Sequence, residues 1–324
     1  MVIHAIALHA CNRQLLILEC LLIKVPTGSE RIDRHMALDG KLEKIKDNVW
    51  KLESDGKRFS VKRYQSNSTA MKVQRVHEAL HSVSFPHIVD VVSQENQLTF
   101  VQPWLDGAKA VNFKKRADRT DSLAALHALH ETKAQLDWHA SPYLHPYPLI
   151  AKWEDRISRF REIGGECEAY IGKGLVDEIL FYALNAISAV KKTYKDNLNG
   201  TLLHGDVVHH NILRDRDGVI RFIDFDLAST GPAGTEIALW IHRVLPQIGY
   251  DIDFLFDEQP SLRRLNYASK TLLLFPNEIL REWLHFFTLS PSGRERQAKQ
   301  LVPFTESALS HWPKLWYDVE RINT

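Results

Sequence analysis

The stretch Leu202-Leu203-His204-Gly205-Asp206-Val207-Val208-His209-His210-Asn211-Ile212-Leu213, followed after a short turn by Ile223-Asp224-Phe225-Asp226, is where the chemistry of this chain concentrates. Its spacing says more than its composition. Asp206 and Asn211 stand five apart in a loop-like segment, which lets both side chains face one cavity. Asp217-Gly218 then turns the chain between residues 211–214 and 219–224, and the returning strand of that hairpin brings the Asp224 carboxylate beside Asn211. Phosphoryl transfer needs an acid that orients and deprotonates a hydroxyl, together with oxygen ligands that hold magnesium on phosphates. Asp206, Asn211 and Asp224 supply that set.

Outward from this segment the chain changes character at a turn-rich boundary, residues 103–107. Before it the pattern is strand-like. Asp55-Gly56, between Val49-Trp50-Lys51-Leu52 and Phe59-Ser60-Val61-Lys62, is a hairpin signal, so residues 41–64 read as two or three antiparallel strands. A helix is expected from about Ala70 to Val83, stopped before Phe85-Pro86, and then a second strand pair over 88–93 and 98–104 around Glu95-Asn96. After the boundary the reading is mainly helical, over about 120–137, 149–163, 175–195, 233–247, 261–274 and 277–288. Neither an internal repeat nor a low-complexity tract occurs. Residues 1–36 are read as an N-terminal appendage, 37–104 as a small-sheet lobe and 105–324 as a helical lobe carrying the catalytic loop.

The order H-x-D-x-x-x-x-N followed by I-D-F matches the catalytic and metal-binding segments of eukaryotic-like kinases. With its H-G-D loop the segment resembles the aminoglycoside phosphotransferase and choline kinase family. Within that family it is most similar to bacterial spore-coat-associated, thiamine- or homoserine-kinase-like proteins, over roughly residues 40–290. The resemblance implies an α+β, two-lobed protein-kinase-like fold, with a small antiparallel-sheet N-lobe and a larger helical C-lobe. It implies Asp206 as catalytic base, Asn211 and Asp224 as magnesium ligands, and His204 as the residue that braces the loop. Lys62 resembles the strand lysine that pairs with nucleotide phosphates, and Glu78 on the following helix is the expected ionic partner of that lysine.

The chain departs from the family pattern twice. Asp47-Asn48-Val49-Trp50 occupies the place of the glycine-rich phosphate loop and contains no glycine. There the hairpin's backbone amides, at Asn48 in particular, are the expected phosphate contacts. Glu236, in Gly231-Pro232-Ala233-Gly234-Thr235-Glu236, stands where the family commonly has an Asp, and is read as a structural cap.

Other features carry less. Of 324 residues 44% are apolar and 25% charged, which excludes disordered and collagen-like chains. Forty-one Lys and Arg against forty Asp and Glu give +1, so no global field recruits nucleic acid or an anionic membrane. Cys11, Cys20 and Cys167 fit no C-x-x-C pair, which points to a reducing, cytoplasmic compartment. The apolar run Leu15 to Val25 contains Glu19 and is too short to span a bilayer. His204, His209 and His210 without a distant fourth ligand make a weak zinc cluster. Gly172-Lys173-Gly174 has Cys167 in place of the first phosphate-loop glycine and reads as a turn between helices. His127 and His130 read as packed or capping residues, and most of the eight tryptophans, Trp153, Trp240 and Trp283 among them, as core.

Glu236 follows Asp224 by only twelve positions, whereas a protein kinase needs about 20–30 residues there, ending in A-P-E, to order a peptide platform. Gly205 also replaces the arginine that reads a phosphorylated activation loop. The expectation is therefore an ATP- or GTP-dependent, magnesium-requiring kinase that phosphorylates a hydroxyl of a small metabolite of the choline, thiamine, amino-sugar or homoserine type. Asp226 is expected near the mouth of the acceptor pocket. The rival reading is a catalytically idle kinase-fold scaffold, such as a spore-coat component.

Overall fold

A computed structural model describes residues 22–24, 36–37, 40–94, 98–194 and 200–322. The chain divides into two compact units. One comprises residues up to Lys109 together with Leu213–Ala228, and the other comprises Ala110–Ile212 and Ser229–Thr324.

In the first unit β1 (Leu22–Lys24) pairs antiparallel with both β2 (Met36–Ala37) and β6 (Ser93–Gln94). The expected boundary after residue 36 is thus crossed by strand pairing, and part of the appendage is joined to the sheet region. The main sheet is antiparallel in the order β3 (Lys41–Lys46), β4 (Val49–Ser54), β5 (Lys57–Arg63), β7 (Thr99–Pro103). Asp55 and Gly56 both adopt positive φ, 50° and 71°, which is the backbone of the two-residue turn whose twist matches a hairpin. Alternation along β5 turns Phe59 and Val61 into a core with Leu52, Val92 and Val101. Lys62, next to Val61 in sequence, therefore projects from the opposite face. Helix α1 (Asn67–Ser82) buries Ala70, Val73, Val76, His77 and Leu80 at helical spacing.

The hairpin of Ile212–Arg214 and Ile220–Phe222 was expected in the helical lobe, yet residues 213–228 pack with the first unit. Backbone bonding explains why. Phe222 donates to the carbonyl of His87 at 2.7 Å, and Arg221 binds the carbonyls of Pro86 and Ile88.

The second unit begins with α2 (Arg116–Glu131), α3 (Leu149–Glu162) and α4 (Gly164–Thr193). Gly172, at φ 76° and ψ 157°, breaks α4 where the turn was expected. Strands β8 (Thr201–Leu203) and β9 (Ser229–Gly231) pair antiparallel with Leu203 opposite Ser229. The nearly wholly buried α5 (Ala233–Val244) follows, then α6 (Ile252–Glu258), α7 (Tyr267–Thr271), α8 (Asn277–Phe286) and α9 (Pro291–Arg321). Trp153 stacks on Phe275 with ring centres 4.1 Å apart, Trp240 donates to Ser122, and Trp283 donates to Thr305. All three tryptophans are core. A bidentate pair between Arg119 and Glu258, at 2.5 and 2.7 Å, joins α2 to α6. Among the described residues no helix is long and apolar enough to cross a membrane.

Candidate active site

Each unit presents one cluster of chemically active groups. In the first, Lys62 sits on β5 opposite Phe100 of β7, which fixes its stem. Its ammonium lies 2.6 Å from both Asp224 Oδ1 and Asp226 Oδ2. Asp224 follows the hairpin strand in the left-handed region, φ 70°, a conformation that costs a non-glycine residue and that turns its carboxylate to the lysine. Tyr64 donates to Asp226 Oδ1 at 3.0 Å, Lys72 of α1 donates to the Asp226 carbonyl at 2.6 Å, and Lys46 stands 3.8 Å from Asp224.

Two carboxylates around one ammonium titrate as a pair. Burial opposes ionisation of Asp224, but the hydrogen bond and charge of Lys62 outweigh it and hold this carboxyl below the usual range. Burial pushes Asp226 up. The bond to Lys62 works against that shift, yet the neighbouring Asp224 charge adds to it, and the net direction is upward. The same unit has a cavity of about 360 Å³, lined among others by Val49, Lys62, Val73, Phe100, Leu213 and Asp224.

The other sequence-identified residues of this unit sit differently. Glu78 does not pair with Lys62. It lies on the exposed face of α1, where it accepts from Gln74 and Arg75, one turn away on its own helix. Helical geometry is the reason, because Glu78 shares a face with Gln74 and not with the buried Val73 and His77. Asp226, expected at the acceptor mouth, instead supplies the second carboxylate to the lysine. Asn48 lies in the two-residue turn between β3 and β4, and its carbonyl accepts from the Arg63 amide at 2.9 Å.

In the second unit the H-G-D loop is held from beneath by a buried carboxylate. Glu236, fully buried near the start of α5, accepts from the Gly205 amide at 2.7 Å and from His130 Nε2 at 2.9 Å. Burial works against its charge, but the bond and charge of His130, aided by His204 and the Gly205 amide, keep its carboxyl low. Since Glu236 is ionised, His130 must donate through Nε2. His204, also fully buried, accepts the Asp206 amide on Nδ1 at 3.3 Å. Asn211 donates from Nδ2 to the Asp206 carbonyl at 3.1 Å and to Asp206 Oδ2 at 3.2 Å. The carboxylate of Asp206 is thereby oriented, and Arg243 of α5 stands 3.8 Å from its Oδ1. His209 and His210 are exposed, and among the described residues no three or more His, Cys, Asp or Glu converge as a metal site.

A cavity of about 620 Å³ in this unit is lined among others by Asn112, Phe113, His209, Arg243, Glu278 and Arg281. Arg243 is ion-paired to Glu278 of α8. Sequence reasoning did not single out Lys46, Lys72, Lys152, Arg156 or Arg243, because isolated basic residues on a strand edge or a helix read as solvated faces. For Arg243 a signal existed. It follows the apolar run Ile237-Ala238-Leu239-Trp240-Ile241 on a helix that buries nearly every side chain.

The family model for the phosphotransferase enzyme family matches residues 43–265. Among solved structures, an aminoglycoside phosphotransferase from Alicyclobacillus acidocaldarius is 18% identical, with 88% of this chain and 94% of that one covered and a TM-score of 0.64. Amicoumacin kinase, solved with AMP-PNP and calcium, is 14% identical over 92% of this chain and 93% of the other, TM-score 0.55. Spectinomycin phosphotransferase, solved with ADP and spectinomycin, is 14% identical over 83% and 91%, TM-score 0.50. At these identities the likeness is one of fold, and the fold is kinase-like. No curated protein matches the chain significantly. The family match spans well over half of the sequence and includes both the H-G-D loop and the Asp224 hairpin, so the chain belongs to the phosphotransferase enzyme family.

Proposed function

We propose that the protein transfers the terminal phosphate of ATP to a hydroxyl of a small metabolite. The observation that carries this reading is the Lys62 ammonium held 2.6 Å from two carboxylates beside a largely apolar cavity. Such a cavity suits a flat, weakly polar base, and a strand lysine next to it suits the phosphates.

The donor set also fits magnesium. Asp224 and Asp226 are hard oxygen donors already gathered around one positive charge, that of Lys62. These two residues would hold the ion, which when bound neutralises charge on the nucleotide phosphates. Asp206 accepts the proton of the acceptor hydroxyl as its oxygen bonds to phosphorus and the bond to the leaving ADP oxygen breaks. His204 and Asn211 keep that carboxylate aimed. Glu236 holds the loop and touches no reactant.

The turn at Asp47-Asn48 lacks glycine and has one carbonyl engaged by Arg63, which favours weak phosphate contact and hence the idle-scaffold reading. A screen of nucleotide consumption against hydroxylated metabolites, with magnesium and either ATP or GTP, decides between them. Turnover with any acceptor supports the kinase. Absence of nucleotide binding at millimolar concentration supports the scaffold.

A further inference from the structure

Lys152 and Arg156 stand one turn apart on α3 and are both half-buried. Neither has a carboxylate partner among the described residues. Lys152 donates to the Tyr147 hydroxyl at 3.1 Å and sits over that ring, 4.6 Å from its centre, while Arg156 donates to the side chain of Asn277. Arg243 and Arg281 add two further cations from α5 and α8, but these are matched by Glu278 and by Glu282, the latter at 3.0 Å.

Two like charges at this spacing repel, and burial makes each dearer. Burial lowers the Lys152 ammonium, Arg156 and Arg243 lower it further, and Asp206 acts in the opposite direction. Burial likewise lowers Arg156, with Tyr147 and Glu278 opposing and Arg243 and Arg281 adding. Lys152 is thus within electrostatic reach of Asp206, and Arg243, which stands 3.8 Å from Asp206 Oδ1, is within reach of both Lys152 and Arg156, so the group carries an excess of positive charge beside that carboxylate. A cationic acceptor meets repulsion there, whereas an anion relieves it.

Resting on the reading of Asp206 as the group that receives the acceptor hydroxyl, we infer that the acceptor is an anionic metabolite whose carboxylate or phosphate is held by Lys152 and Arg156. Arg156 offers a planar fork and Lys152 a point charge, the combination that suits a multi-oxygen anion. The terminal phosphate of the nucleotide presents the same chemistry, so the test must separate the two sources.

The first arm uses inorganic phosphate on the full chain without nucleotide, with melting temperature read against chloride at equal ionic strength. Millimolar phosphate should raise the melting temperature of the wild type and of Lys62→Met. It should leave Lys152→Gln/Arg156→Gln unmoved, although that variant, relieved of repulsion, should melt no lower than wild type when ligand-free. No rise in the wild type, or an equal rise in the double variant, overturns the inference.

The second arm measures turnover with hydroxy acids and sugar phosphates, with neutral polyols, and with choline and kanamycin. Anionic acceptors should be preferred. The double variant should raise their KM on the order of tenfold to a hundredfold with the KM for ATP unchanged. A preference for cations, or a rise in the KM for ATP instead, overturns it. Should ATP bind with no acceptor turned over, the proposed function fails and the phosphate arm still decides the anion site.

Discussion

Replacing Glu236 by Gln removes one charge from beneath the H-G-D loop while keeping the side chain's size. The carboxylate now accepts from two donors, the Gly205 amide and His130 Nε2. An amide has one oxygen to offer, so its NH2 group must face the other donor. One charge-assisted bond becomes neutral and one buried N–H loses its partner, and the second alone costs about 1–3 kcal/mol. With the lost charge assistance the total is about 3 kcal/mol, near the range for breaking a buried ion pair. Urea unfolding at pH 7 should show the midpoint falling with m unchanged. The carboxyl of Glu236 is held below its ordinary value of 4.5, so its contribution is present above that pH and is lost as pH falls through the folded value. The gap between wild type and variant should accordingly narrow in acid. A loss below about 1 kcal/mol at pH 7, against the ~1–3 kcal/mol of an orphaned buried donor, would refute this account of how the loop is held.

Further outcomes follow from other buried groups. His242, buried and bonded to the Leu272 carbonyl, has its pKa pushed by burial from 6.5 to about 4. The unfolded chain therefore binds more protons between those values, and wild-type stability should fall by about 3 kcal/mol as pH drops from 6.5 to 4. Denaturant titrations of His242→Asn should lack that fall, and an equal slope in both proteins would assign it elsewhere. Lys62→Met leaves Asp224 and Asp226 facing one another without their cation. ATP with magnesium at a hundredfold its dissociation constant should stabilise the wild type by roughly 2.7 kcal/mol, and the variant by much less at the same concentration. Asp224→Asn should weaken the magnesium-dependent part of ATP binding. Asp206→Asn should leave ATP binding intact, and equal losses in calorimetric titrations of both would mean that the roles are wrongly divided.

The residues of the candidate site on the H-G-D loop and its hairpin were legible as a group because they are close in sequence. The spacing of His204, Asp206 and Asn211 is set by one loop, and the Asp217-Gly218 turn fixes where Asp224 emerges. Lys62 was legible from the Asp55-Gly56 hairpin, whose register decides which face of β5 it occupies. The partner of Lys62 was not, because Glu78 and Asp226 are both acids of suitable length and only tertiary packing separates them. Asp226 meets Lys62 across 164 residues. Helix α9 was missed for a local reason. Pro291 at its first turn is compatible with a helix, but Pro303 and Pro313 inside it read as breakers, and packing of Leu301, Ala308, Trp312 and Leu315 overrides them. The unpaired charge of Lys152 and Arg156 is likewise invisible in sequence, where an i,i+4 basic pair reads as a solvated helix face.

The central claim is that phosphate leaves ATP for a hydroxyl with Asp206 as the proton acceptor. It is tested most directly by incubating the full chain with γ-labelled ATP, magnesium and the acceptor panel, and following the label by mass spectrometry. The account predicts label on a hydroxyl oxygen of an acceptor, with transfer by Asp206→Asn reduced on the order of a hundredfold to ten-thousandfold. Label that stays on ATP in the wild type although ATP is bound, or transfer undiminished in Asp206→Asn, would contradict it.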